Sequence, residues 1–132
     1  MTTKSMLKLC AMFESASGVA LITFRNLILS AFLGGGSPGD VELARVAGLA
    51  PLLLGLVCWP KGDDDVSAQI LLAQFAYTLL IALYLGYLRL AGGFTSTLLL
   101  PTSVLHGLLA LLLAVLAFER VLAAKAPRAG QR

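Results

Sequence analysis

Residues 8–24 read KLCAMFESASGVALITF, an apolar stretch long enough to enter a membrane, with one carboxylate, Glu14, inside it. The whole chain shares this character, since 58% of its 132 residues are hydrophobic and 13% are charged. Soluble domains have about 45–50% apolar and about 25% charged residues. A soluble domain of this size could not bury so much apolar surface, because small domains expose a large share of their chain. The composition therefore predicts one integral membrane domain over residues 1–132.

The basic residues Lys4 and Lys8, together with the small residues of SASGVA, share features with a cleaved secretory leader. However, Glu14 interrupts the apolar region, and the hydrophobicity continues beyond the cleavage region. We therefore expect residues 6–24 to form a retained first membrane span. Residues 25–33 stay apolar, and they either extend that helix or form a short amphipathic segment along the membrane surface.

The sequence GGGSPGD at residues 34–40 is typical of a turn exposed to water. The next apolar stretch predicts a second span over about residues 41–59, with Asp40 as its N-cap. Pro51 lies in the middle of this span, where the missing N–H favours a kink that membrane helices tolerate.

The acidic sequence KGDDD at residues 61–65 precedes a third span, which we place at about residues 66–90. The turn AGGFTST separates it from a fourth span at about residues 98–121. Residues 122–132 are expected to form a flexible basic tail. Because every connection is short, the pattern predicts an all-α fold, an up-and-down bundle of four transmembrane helices.

The basic residues predict the orientation of this bundle. The side that holds both ends of the chain carries Lys4, Lys8, Lys61, Arg120, Lys125, Arg128 and Arg132, and the other side carries Arg25, Arg45 and Arg89. Positive residues concentrate on the cytoplasmic side, so we expect a bacterial cytoplasmic membrane with both termini in the cytoplasm. The three arginines of the outer side either contact lipid headgroups or anchor their helices at the interface. Cys10 and Cys58 would then lie near the cytoplasm as reduced thiols.

Four polar side chains inside the spans form a candidate intramembrane polar site: Glu14, Gln74, Tyr77 and His106. Polar groups are costly in a bilayer, so they face the bundle interior and often mark function. Two interpretations remain open. The residues either hydrogen-bond neighbouring helices and hold them together, or they bind a ligand or a proton.

Helix geometry gives an expected depth for each of these groups. Glu14 lies about 9 Å and Gln74 about 10 Å inside the cytoplasmic boundary, so the two would meet if their helices are neighbours. His106 lies nearer the outer side, about 18 Å from that boundary, where Tyr84 or Ser103 would be closer partners.

Small residues predict where the helices approach each other, since close packing in lipid requires short side chains. Gly18 lies one turn after Glu14, and Gly48, Pro51 and Gly55 share one stripe of the second span.

The motifs of known enzyme chemistry do not occur in this sequence. There is one histidine, and there is no HxxxH pair, CxxC pair or phosphate-binding glycine loop. The net charge of +3 is scattered, with no nucleic-acid-binding motif. We therefore expect no catalytic residue, metal, cofactor or nucleic-acid partner. The expected partners are membrane lipids, with other membrane subunits or further copies of this chain.

Three segments resemble the spans of small bacterial membrane proteins in the broad DoxX-like grouping. They are FESASGVALI at residues 13–22, ARVAGLAPLLLGLVCW at residues 44–59 and LLLPTSVLHGLLALLL at residues 98–113. The resemblance implies a four-helix membrane bundle and leaves the activity undefined. Pro51 departs from the usual pattern of the grouping.

Two functions are consistent with these patterns. The first is a non-catalytic accessory or structural subunit that packs against membrane partners or itself. The alternative is a small-molecule or lipid binding or transport protein with a polar pocket around Glu14 and His106. The first predicts stripes of small and aromatic residues on more than one side of the bundle. The second predicts that Glu14, Gln74, Tyr77 and His106 converge on one cavity, and it fails if Glu14 and His106 point to lipid or to separate packed interfaces.

Overall fold

The computed structural model describes residues 2–60 and 67–125, and this part of the chain is all helical. Its helices are α1 (Thr3–Thr23), α2 (Arg25–Leu33), α3 (Pro38–Val57), α4 (Ala68–Leu90) and α5 (Leu99–Lys125). The predicted all-α class is confirmed. Three helices are long and apolar enough to cross a membrane: α1, α4 and the Leu99–Leu122 part of α5. Large apolar side chains such as Leu53, Leu83 and Leu111 remain exposed on the outside, which is compatible with a membrane protein.

The four long helices form two tightly packed pairs. In the first pair, Gly18 of α1 faces Gly48 of α3, while Ser15 of α1 faces Gly55, so the two helices are antiparallel. In the second pair, Ser103 of α5 donates a hydrogen bond to the Ala82 carbonyl of α4 at 2.7 Å. A short turn joins α4 to α5, so this pair is antiparallel as well.

The two pairs meet where α1 packs on α4 and α5. The shared core at one end of this interface consists of Met6, Leu7, Cys10, Leu71, Leu113 and Ala117. Because this core contains the starts of α1 and α4 and the second half of α5, α1 runs parallel to α4 and antiparallel to α5. The long helices therefore alternate in direction along the chain.

The contact between α1 and α3 depends on glycines. A Cβ atom on Gly18 would lie 2.6 Å from the Leu52 nitrogen and 2.7 Å from the Gly48 carbonyl oxygen. The predicted small-residue stripe of α3 is confirmed, because Gly48, Pro51 and Gly55 are all buried. Backbone-to-backbone contact of this kind is how helices associate in lipid.

The helical segment at residues 25–33 is separated from α1 by a break at Phe24, whose φ and ψ are −110° and 29°. The Arg25 guanidinium turns back and donates to the Ile22 carbonyl at 3.4 Å. The segment ends at Gly34, which adopts a left-handed φ of 79°. Ser96, in the turn before α5, donates to the Ala31 carbonyl at 2.6 Å and ties the end of α2 to the second pair.

The start of α3 corrects one prediction. Ser37, and not Asp40, is the N-cap, and the helix already begins at Pro38. Proline suits the first helical position because the N–H there would be unpaired anyway. Asp40 completes a capping box, in which its Oδ2 accepts from the Ser37 amide at 2.7 Å and from the Ser37 hydroxyl at 2.8 Å. These bonds lower the pKa of the exposed Asp40 carboxyl.

Helix α3 continues through Pro51 as a single element, as membrane helices tolerate. One other boundary differs from the sequence prediction. Helix α5 continues to Lys125, so the expected tail is helical over residues 122–125. Leu122 and its neighbours are strong helix formers, which extends the helix past the last apolar turn. The KGDDD sequence with Lys61, and the tail beyond Lys125 with Arg128 and Arg132, lie outside the described residues.

Candidate functional site

Glu14 and Gln74 meet between α1 and α4. Glu14 is 3% exposed and Gln74 is fully buried. The Gln74 Nε2 atom donates a hydrogen bond to Glu14 Oε1 at 3.5 Å. The contact that was expected if α1 and α4 are neighbours is therefore present. This bond joins one helix pair to the other.

The Gln74 side chain is only half satisfied. Its Oε1 atom is buried and has no hydrogen-bond partner among the described residues. The nearby Thr78 hydroxyl does not supply one, because it donates to the Gln74 backbone carbonyl at 2.8 Å. An unpaired buried oxygen typically costs about 1–3 kcal/mol. Sequence reasoning missed Thr78, although its position one turn after Gln74 places both on the same face of α4.

Tyr77 is half-buried and lies close enough to Glu14 for an electrostatic interaction between them. The same holds for Cys10 and Cys58, which are buried free thiols. The neighbours of Glu14 therefore come from α1, from the end of α3 and from α4. No lysine or arginine forms an ion pair with Glu14 in the part of the chain that the structure describes.

His106 reaches α1 through an aromatic contact. Its ring packs edge-on against Phe13, with the ring centres 5.4 Å apart. Its Nδ1 atom lies 2.8 Å from the Thr102 carbonyl oxygen, one turn earlier on α5. Since Phe13 precedes Glu14, the His106 ring contacts the turn of α1 that carries Glu14. The depth of His106 in a membrane stays a prediction.

The two partners expected for His106 have other surroundings. The Tyr84 side chain is 59% exposed. Ser103 donates to the Ala82 carbonyl. Tyr84 and Ser103 lie on faces of α4 and α5 that do not face the His106 ring, because the rotation of each helix about its axis decides which positions meet.

We call Glu14, Gln74, Thr78 and His106 the polar layer; all four are buried, and they lie on three helices. Glu14 lies in the α1–α4 interface and His106 in the α1–α5 interface, so the layer consists of packed contacts. Within the described residues, no three His, Cys, Asp or Glu side chains are grouped to hold a metal ion.

The three arginines expected at the outer side do not converge on one site. Arg25 bonds the Ile22 carbonyl. Arg45 forms an exposed ion pair with Glu42 at 3.1 Å. Arg89 is exposed in the last turn of α4. Exposed pairs of this type contribute little stability.

A cleft that the sequence did not indicate lies between the end of α2 and the turn before α5. Its volume is about 320 Å³, and Ser30, Ala31, Thr95 and Ser96 are among its lining residues. No residue of the polar layer lines it. The cleft is therefore separate from the candidate site.

Comparison of the chain with protein-family models, with curated proteins and with solved structures gives no match. The resemblance to the DoxX-like grouping stays a prediction from the sequence, and the function has to be inferred from the geometry.

Proposed function

We propose that this protein is a small, non-catalytic integral membrane protein that acts as an accessory or structural subunit, packing against other membrane subunits or further copies of itself. The observation that carries the proposal is the Glu14–Gln74 hydrogen bond between the two helix pairs. The buried polar groups of the chain thus connect its own helices. The outer surface is rich in exposed leucine and valine, and it is the surface that would pack against other membrane subunits or further copies of the chain.

The proposed architecture has four spans, with α3 as the fourth. Helix α3 has 20 residues, which corresponds to about 30 Å, the thickness of a hydrocarbon core. It packs antiparallel along α1, backbone against backbone, so a membrane that contains α1 also contains α3. Its charges support this placement, because Glu42 and Arg45 pair with each other and lie near its exposed start.

The proposed location is a bacterial cytoplasmic membrane with both termini in the cytoplasm, which rests on the distribution of lysine and arginine. In this orientation Arg25, Arg45 and Arg89 lie on the outer side, where they would contact lipid headgroups. The proposal also keeps the DoxX-like relationship as its sequence-based hypothesis.

Labelling of single cysteines tests the four spans. In a Cys10→Ala, Cys58→Ala background, Ser37→Cys and Trp59→Cys place one thiol at each end of α3. We expect a membrane-impermeant maleimide to label Ser37→Cys in intact spheroplasts, and Trp59→Cys only after the membrane is opened. Labelling of both positions from one side would contradict a spanning α3.

Purification in mild detergent tests the accessory role. We expect the full chain to co-purify with a stoichiometric membrane partner or as a defined homo-oligomer. A monodisperse monomer would argue against this role.

One observation favours the second candidate, a binding or transport site in the polar layer. The buried Gln74 Oε1 atom has no partner among the described residues. Glu14→Gln separates the candidates, because it would alter transport or ligand binding in the second and leave assembly unchanged in the first.

A further inference from the structure

We propose that Glu14 is a proton-binding site and that the bound proton completes the junction between the two helix pairs. The Glu14 carboxylic acid donates its O–H to Gln74 Oε1, while Gln74 Nε2 donates to the other oxygen of the same carboxyl group. The result is a closed acid–amide pair with two hydrogen bonds. This inference rests on the proposed role of the polar layer in holding the helices together.

The unpaired oxygen of Gln74 is the first argument. Gln74 is fully buried, its Nε2 atom is used, and its Oε1 atom needs a donor. Thr78 already donates to the Gln74 backbone carbonyl, and His106 Nδ1 lies against the Thr102 carbonyl. The Glu14 carboxyl is the group that the same amide already contacts through Nε2, and in its protonated form it carries the O–H that Oε1 needs.

The length of the existing bond is the second argument. A hydrogen bond to an ionised carboxylate is shorter than one between neutral groups, whose N to O distance is about 2.7–3.2 Å. The Nε2 to Oε1 distance here is 3.5 Å, so the contact lacks the shortening that a charged acceptor produces. An ionised Glu14 carries no proton that it could donate. It would therefore leave the Gln74 Oε1 atom unpaired beside a negatively charged carboxylate.

The surroundings of Glu14 are the third argument. The titratable groups that face it are Cys10 on α1, Cys58 at the end of α3 and Tyr77 on α4, and His106 on α5 lies beyond Phe13. None of these is a lysine or arginine paired with the carboxyl in the described chain. A buried carboxylate without a cationic partner is costly in a membrane, and a bound proton removes its charge.

The proton therefore acts as a ligand that connects α1 to α4. When it leaves to water, a charged carboxylate faces an amide oxygen across the interface. The packed state binds one proton more than the separated state, so packing weakens as the pH rises. The stability of the interface between the α1–α3 and α4–α5 pairs therefore depends on the protonation of Glu14.

Infrared spectroscopy of the full chain in liposomes tests the protonation directly. With ¹³C-labelled glutamate, we expect the C=O band of a protonated acid at neutral pH, its loss at high pH and its absence in Glu14→Gln. Gln74→Leu should shift this band, because the acid loses its acceptor. A fully ionised Glu14 at neutral pH would overturn the inference.

Stability measured against pH supplies the second readout. Between the titration points of the separated and the packed state, we expect the unfolding equilibrium constant of the wild type to rise about tenfold per pH unit. Glu14→Gln keeps two hydrogen-bonding groups and cannot ionise, so its stability should not follow this slope. A slope in Glu14→Gln equal to that of the wild type would contradict proton binding at this residue.

Glu14→Ala separates the two proposals. If it leaves helix packing intact, the polar layer does not hold the pairs together, and the proposed function loses its main support. If it weakens packing while the acid band is absent from the wild type, the layer holds the helices without a proton.

Discussion

The glycine contact between α1 and α3 leads to a quantitative prediction for Gly18→Ala. The added Cβ would lie 2.6 Å from the Leu52 nitrogen and 2.7 Å from the Gly48 carbonyl oxygen. Ordinary contacts of a Cβ begin at 3.4 Å, so the helices must separate by about 0.8 Å, which is 3.4 minus 2.6. Both of these neighbours are backbone atoms, so no side-chain rotation relieves the clash.

The expected free energy follows from two opposing effects. Overpacking of a tight contact costs about 1–3 kcal/mol, and we take the upper part of this range because backbone must move. Replacement of glycine by alanine in a helix returns about 1 kcal/mol. The net destabilisation is therefore about 1–2 kcal/mol, or roughly tenfold in the unfolding equilibrium constant.

Titration of the purified protein from mild detergent into SDS, followed by circular dichroism, measures this change. Gly107→Ala on α5 is the matched control, because a Cβ there would meet nothing within 4 Å. We expect the control to equal or exceed the wild type in stability. If Gly18→Ala is as stable as Gly107→Ala, the close α1–α3 contact does not exist in solution.

Three other contacts have measurable consequences. Gln74→Leu removes the donor to the buried carboxyl, so we expect a loss of about 1–2 kcal/mol in the same SDS titration, with the exposed Gln69→Leu as an unchanged control. The lowered pKa of Asp40 means that its cap is formed above the unfolded-state pKa and is lost as the pH falls through the lowered one. The protection factor is the intrinsic exchange rate of an amide divided by its observed rate at the same pH. At the start of α3 it should fall at acidic pH in the wild type and be lowered at every pH in Ser37→Ala. A wild-type protection factor that does not change with pH would contradict the cap. Ser96→Ala should speed exchange at the end of α2 by about 2- to 10-fold, which corresponds to a loss of about 0.5–1.5 kcal/mol, and an unchanged rate would show that this bond does not hold the helix.

Local chemistry explains which features of the fold could be predicted. Long apolar stretches separated by glycine-rich turns predict helices, and the described residues are helical along these stretches. Gly48, Pro51 and Gly55 were also predictable as a buried stripe, because only small residues permit helices to touch in lipid. The start of α3 was misplaced because Ser37 and Asp40 are both good caps, and the suitability of Pro38 for the first helical position distinguishes them.

The sequence by itself therefore determined the helical class, the membrane-compatible character of the chain and the identity of its costly polar groups. Spacing along the helices also predicted a similar depth for Glu14 and Gln74, so that the two could meet if their helices were neighbours, and the tertiary structure makes α1 and α4 neighbours at this point. Tertiary structure alone decided that Thr78 is buried in the polar layer, that Tyr84 is exposed, and that His106 packs on Phe13. The physical reason is that these helices are apolar on nearly every face, so no amphipathic pattern marks the inner side. The rotation of each helix about its axis is set by the fit of small and large side chains between neighbouring helices. This fit depends on both helices together, so the sequence of one helix does not reveal it.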